Sequence, residues 1–155
     1  MDYELMMRQA LDVASISGSE VPVGAIVFDG NSVPLAKATN LREAELDIAG
    51  HAELRAIQQT IRHLGRRNLS GLTLVSTLEP CPMCAFAARE SRISRLIFGA
   101  YDSRYGSAGS RYDILRDRRI GPPVETIGGI LEDECSTLIR LRFKGIRQAK
   151  SQRLS

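Results

Sequence analysis

Apolar residues recur along this chain with two different periods, and each stretch predicts an element. Tyr3, Met7, Ala10, Leu11 and Ala14 return at helical spacing and Gly18 offers a stop, which predicts an amphipathic first helix. Val21 to Phe28 is a compact apolar run, Asp29-Gly30-Asn31 supplies hairpin chemistry, and Val33 to Ala38 returns as a second strand. Asn40 to Gly50 is a polar loop. Leu54, Ile57, Ile61 and Leu64 then define one face of a helix that begins near His51 and is broken by Arg66-Arg67-Asn68.

Leu72 to Thr77 alternates and is rich in β-formers, a strand running straight into Pro80-Cys81. Pro82 suits the first turn of a helix that continues from Met83 to Glu90, because a proline there gives up an N–H that has no intrahelical partner. Arg95 to Gly99 is the next strand, Tyr101 to Gly109 a loop with two glycines, Tyr112 to Leu115 a short helix, and Val124 to Ile127 a last strand. A long helix runs from Leu131 to about Lys150, with the basic segment reaching about residue 153. Helices alternating with strands require a sheet covered on both faces, an α/β fold. With no repeat, low-complexity stretch or linker, residues 1–155 are expected to form one domain.

Composition adds little to this picture and charge adds more. The 43% hydrophobic and 25% charged residues are ordinary for a globular protein, and no apolar run approaches the roughly 18 residues needed to cross a bilayer. No basic leader precedes an apolar stretch at the N-terminus, so a cytoplasmic protein is expected, without a membrane partner. Three cysteines, two of them in a CxxC, point to a reducing compartment rather than a disulfide framework. The net charge of +3 is uneven: residues 135–155 carry six of the 21 cations and none of the 18 acids. Such a tail suits phosphates, with a contribution that fades in salt, and equally suits a solvated helix end whose cations complement the dipole.

The chemistry is concentrated in His51-Ala52-Glu53 and, 27 positions after Glu53, Pro80-Cys81-Pro82-Met83-Cys84. One imidazole and two thiolates make three ligands for a single zinc ion (Zn2+) and leave its fourth tetrahedral position open to water, whereas a structural zinc site uses four protein ligands. Cys81 and Cys84 fall at a helix N-terminus, where free N–H groups favour anionic sulfur. Of the two histidines, His63 lies several turns away among Arg62, Arg66 and Arg67, so His51 is the expected third ligand. Glu53, two residues from His51, borders the same space without ligating and is the expected proton carrier. No organic cofactor is called for. The arrangement matches the signature of zinc-dependent nucleobase deaminases, in which hydroxide attacks a ring carbon and an exocyclic amine leaves as ammonia.

Over nearly its whole length the chain resembles the cytidine deaminase-like superfamily, and within it the bacterial tRNA adenosine deaminases. The resemblance rests on Glu20 through Ala25, Asn40, His51-Ala52-Glu53, Thr77 through Cys84, Ser91-Arg92-Ile93, Phe98-Gly99-Ala100, Asp102, Gly106 through Ser110, Gly129-Ile130-Leu131 and Asp133-Glu134-Cys135. It implies a three-layer α/β/α sandwich around a five-stranded mixed sheet, a homodimer, and a tRNA anticodon stem-loop whose wobble adenosine becomes inosine. It further implies that Asn40 contacts the purine, the Ala52 backbone holds the reacting base, and Asp102 meets the ribose of a neighbouring nucleotide. Phe143 and Arg147 of the last helix complete the expected RNA-contacting set. Each also has a local reading: Asn40 as a turn former, Asp102 as a cap, Gly106 to Ser110 as a tight connection, and Cys135 as core. Two other functions fit the same residues, a deaminase of free guanine, cytosine or their nucleosides, and a non-catalytic zinc-stabilised RNA-binding subunit. Glu53 separates enzyme from binder, since a structural site has no use for it.

Overall fold

The computed structural model describes residues 1–155. Its chain order is α1 (Tyr3–Ser15), β1 (Gly24–Phe28), β2 (Pro34–Thr39), α2 (Ala52–Leu64), β3 (Thr73–Leu78), α3 (Pro82–Glu90), β4 (Arg95–Ala100), a short 3-10 turn (Arg118–Ile120), β5 (Glu125–Ile127) and α4 (Glu132–Leu154). The five strands form one sheet in the order β2-β1-β3-β4-β5. β1 runs antiparallel to β2 and β3, while β3, β4 and β5 are parallel. This is the expected three-layer arrangement around a mixed five-stranded sheet.

Both faces of the sheet are covered, so β1 is buried at every position. On one face Ala25, Val27, Leu74, Leu96 and Phe98 pack against Ala52, Ala56 and Ile57 of α2 and Ala85 and Ala88 of α3. On the other, Ile26, Phe28, Val75 and Ile97 meet Met6, Met7 and Ala10 of α1 and Cys135 of α4. Each such Leu, Ile or Phe removed from water stabilises the fold by roughly 1.5–3 kcal/mol. Two glycines let helices press onto strands. A Cβ at Gly24 would lie 2.2 Å from the Ala10 carbonyl oxygen, and one at Gly99 would lie 2.3 Å from Cys135 Sγ. Cys135 is therefore a core residue under β4, and no helix of the chain is long and apolar enough to cross a membrane.

Four expectations shift. Val21 to Val23 lies outside β1, because the Val23 N–H closes a tight turn on the Val21 carbonyl instead of pairing across the sheet. The second helix ends not at Arg66-Arg67-Asn68 but at Gly65, whose φ of 64° is the left-handed conformation that stops a helix. No helix forms at Tyr112 to Leu115: the N–H groups of Arg111 and Tyr112 donate to the Gly106 carbonyl and that of Ile114 to Ser107. Those donors serve a loop, and the short turn lies at Arg118–Ile120, capped by Asp117. The last helix reaches Leu154, carried through Gly145 without a break.

Candidate active site

Two helix starts and one strand end converge on a pocket of about 450 Å3. β3 delivers the chain to Glu79-Pro80, and Cys81 is the N-cap of α3 with Pro82 at its first position. His51 is the N-cap of α2, in extended conformation (φ −71°, ψ 142°), and its ring makes no capping bond to the helix it precedes. β2 and β3 flank β1 and both run antiparallel to it, so they end at the same edge of the sheet and lead into these two helix starts side by side. His51 Nδ1 lies 3.5 Å from Cys81 Sγ and 3.4 Å from Cys84 Sγ.

Those spacings fit zinc. Ligand bonds of about 2.3 Å to sulfur and 2.0–2.1 Å to nitrogen, at the tetrahedral angle, put nitrogen and sulfur about 3.5 Å apart. All three donor atoms lie within 4.8 Å of one another, and no other group of three such residues in the chain does so. Cys84 is fully buried behind the pocket, whereas His51 and Cys81 line it. The three donors converge at the pocket wall, and an ion held by them would face the pocket.

The same contacts set the acid–base character of the groups. A hydrogen bond from the Cys84 thiol, reinforced by His51, brings Cys81 down to about 4. That bond, together with burial, pushes Cys84 far above the ordinary thiol range. The hydrogen bond to Cys81 raises His51 against the opposing effect of burial. Glu53, in the first turn of α2, is 4% exposed, and its desolvation pushes the carboxyl up to about 7, with the Cys81 charge adding to the rise. A carboxyl poised near neutrality is able both to accept and to donate a proton.

The structure brings most of the expected residues together. Asn40, His51, Ala52, Glu53, Cys81, Asp102 and Phe143 all line the pocket, and Cys84 stands just behind it. Asn40 is also a turn former, as its Oδ1 accepts from the Arg42 N–H at 3.3 Å. Asp102 is a local cap too, accepting from the Arg104 N–H at 2.9 Å and the Tyr105 N–H at 3.3 Å. Arg147 is exposed on α4 beyond the pocket lining, and His63 is exposed on the far end of α2.

Two further buried carboxylates of the pocket had no role assigned from the sequence. Glu20, 2% exposed, accepts from the N–H groups of Glu43 and Ala44 at 3.2 and 2.6 Å. Glu79, 1% exposed, accepts from the loop after β4. Both belong to the stretches that carried the family resemblance, but their partners lie more than 20 residues away, so no local pattern marks their task. Arg42, Arg104, Tyr105 and Arg140 add cationic and aromatic surface at the pocket mouth.

Comparison with known proteins agrees with this geometry. The family model for the cytidine and deoxycytidylate deaminase zinc-binding region matches residues 1–100. A tRNA-specific adenosine deaminase of Bacillus subtilis is 38% identical over 149 residues, covering 95% of this chain and 92% of the relative. One from Haemophilus influenzae is 37% identical over 149 residues, covering 95% and 86%. Among solved structures, one from a study of A-to-I editing by tRNA:A34 deaminases at the wobble position superposes with a TM-score of 0.82 at 32% identity. That match covers 86% of this chain and 98% of the other.

Proposed function

Because this chain belongs to the cytidine and deoxycytidylate deaminase family, on its tRNA-specific adenosine deaminase branch, we propose that it converts adenosine to inosine at the wobble position of a tRNA anticodon. The observation that carries the reading is Glu53, a buried carboxyl at the floor of an open pocket beside three zinc donors. A purely structural metal site gives such a residue nothing to do.

His51 Nδ1, Cys81 Sγ and Cys84 Sγ would hold the zinc ion. When bound, zinc supplies a water-derived nucleophile at neutral pH. Glu53 takes a proton from the attacking water and passes it to the purine ring nitrogen. It then carries a second proton to the departing amine, so ammonia leaves and a carbonyl remains. The buried setting keeps bulk water from short-circuiting these transfers. Asn40 orients the purine, the backbone of Ala52 holds the reacting base, and Asp102 meets the ribose of a neighbouring nucleotide, where a 2′-hydroxyl distinguishes RNA from DNA. The target base must leave its stack to reach the metal, and the unpaired bases of an anticodon loop make that extrusion cheap.

Phe143 lines the pocket on α4 and suits stacking, while Arg147 with Lys144 and Lys150 presents charge to phosphates. A homodimer belongs to the same reading, and the exposed Met83 and Phe86 on α3 are apolar surface that such a contact would cover. The cytoplasm is where both the substrate and reduced thiolates occur.

The test is inosine formation in an anticodon stem-loop, run beside ammonia release from free guanine, cytosine and their nucleosides. RNA-dependent inosine with inert free bases is expected. Turnover of a free base with inert RNA would assign a small-molecule deaminase, and inertness toward all with zinc bound would assign the binding subunit.

A further inference from the structure

Outside the zinc donors and Glu53, the pocket is built around another buried carboxylate. Glu79 stands two residues before Cys81, and its own N–H donates to the Ala100 carbonyl at 2.8 Å, at the exit of β4. Its side chain then collects four donors, all from residues 102–110. Oε1 accepts from the N–H groups of Ala108 at 3.1 Å and Ser110 at 3.0 Å. Oε2 accepts from the Asp102 N–H at 2.9 Å and the Ser110 hydroxyl at 2.5 Å. Three N–H groups and one hydroxyl thus converge on the two oxygens, a full set of partners for one carboxyl group. None of the four ion pairs in the structure involves it, so three backbone N–H groups and one hydroxyl, with no cation, are its partners.

The fit leaves no slack. A Cβ at Gly106 would fall 2.3 Å from Glu79 Oε2, so the loop closes over the carboxylate only because that position is glycine. The Ser107 N–H donates to the Pro80 carbonyl at 2.8 Å, a second tie to the turn that carries Cys81. Asp102, Ser103, Arg104 and Tyr105 of this loop form one wall of the pocket. A single turn, Glu79-Pro80-Cys81, thus carries a metal donor and anchors a substrate wall.

Building on the proposed reading of the chain as an RNA-acting deaminase, we propose that Glu79 is a positioning residue. Its carboxylate holds the Asp102–Ser110 wall at a fixed distance from the metal turn and so sets where the substrate lies relative to the reacting centre. It touches neither metal nor substrate, and acts through the loop.

Glu79→Gln tests this in the zinc-loaded protein. The amide keeps the shape but turns two acceptor positions into a donor. Its least costly orientation gives the NH2 to Ser110 Oγ, which is able to accept, and sets it against the Asp102 N–H. One charged acceptor is lost at the residue that lines the pocket. We expect zinc stoichiometry to stay at one and kcat to hold within about threefold, while KM for an anticodon stem-loop rises about tenfold. Amide hydrogen exchange should quicken in residues 102–110 and stay unchanged in β1 and α1. Ser110→Ala, which keeps the carboxylate and removes one donor, should shift both measures the same way by about threefold.

Unchanged exchange and KM in Glu79→Gln would overturn the inference, as would loss of zinc with a fallen kcat and an unaltered KM. Should Glu79→Gln fail to fold, Ser110→Ala decides: faster exchange in 102–110 supports the inference and unaltered exchange defeats it. A wild-type protein inert on RNA would defeat the functional reading alone, because the exchange measurements judge Glu79 without turnover.

Discussion

At the pocket floor, Ala52 and Cys84 have no exposed surface, Glu53 is nearly as deep, and each sits in the first turn of a helix packed on the sheet. Along the far end of α4, Lys144, Arg147, Lys150 and Arg153 are all exposed, and only Cys135 of the whole helix is buried. The last hydrogen bond from that helix to the body is made by Arg142, whose guanidinium donates to the Ser19 carbonyl. The floor works by desolvation: burial moves the Glu53 carboxyl to a useful range and holds donor atoms at ligand spacing. The tail works by charge left in water, where each cation contributes a little and salt screens it. Change at the floor should therefore be drastic and insensitive to salt, and change at the tail mild and salt-dependent.

The sharpest way to break that contrast is Cys84→Ser. Removing the most deeply buried donor should take zinc from one per chain to near zero and turnover to background, read by metal analysis and inosine formation. Retained zinc and activity would mean that the floor is as tolerant as the tail. Because its bond to Cys81 and burial keep the Cys84 thiol protonated at neutral pH, zinc capture by the wild type should also release a proton.

Glu53→Gln comes next. Zinc and fold should persist while kcat falls about 100- to 10,000-fold at any ionic strength, the range over which proton transfer by a side chain contributes. A second readout concerns stability in zinc-stripped protein. With its carboxyl raised from 4.5 to about 7, folded Glu53 binds a proton more tightly than the unfolded chain does. Stability therefore falls as pH rises through that window, and Glu53→Gln should abolish that share of the fall. Parallel melting-temperature profiles for the two proteins would show that burial does not set this group.

The smallest effect belongs to Arg147→Gln with Lys150→Gln. Affinity for a stem-loop should weaken a few-fold at physiological salt, and the log–log salt slope should lessen by about 1 to 2, with kcat on saturating RNA unchanged. An unaltered slope would leave the tail a solvated helix end.

Local pattern and three-dimensional assembly contributed differently to what is now visible. Pro82 places the start of α3 without help, because a ring that fixes φ and lacks an N–H belongs in the first turn of a helix. The period of Leu54, Ile57 and Ile61 likewise reveals α2, yet its end at Gly65 was obscured by the conspicuous Arg66-Arg67-Asn68 behind it. Tyr112 to Leu115 has helical composition but no helix, since its N–H groups are engaged by carbonyls at 106 and 107. Residue types and spacing named His51, Glu53, Cys81 and Cys84 as a set, because few other chemistries need one imidazole, two thiols and a nearby acid.

Short-range physics is written in neighbouring residues: caps, turns and the 3.6- and 2-residue periods act over a few positions, so the order of helices and strands and the identity of the metal donors follow from the chain. Spacing across the pocket is a different matter. The 3.4 Å approach of His51 to Cys84, the hold of Glu20 on Glu43 and Ala44, and the four bonds from residues 102–110 to Glu79 each join segments more than 20 residues apart. Such contacts exist only once β1, β3 and β4 have paired and the helices have packed on them. Burial deep enough to move a carboxyl to about 7 is likewise a property of the assembled layers and of no single stretch.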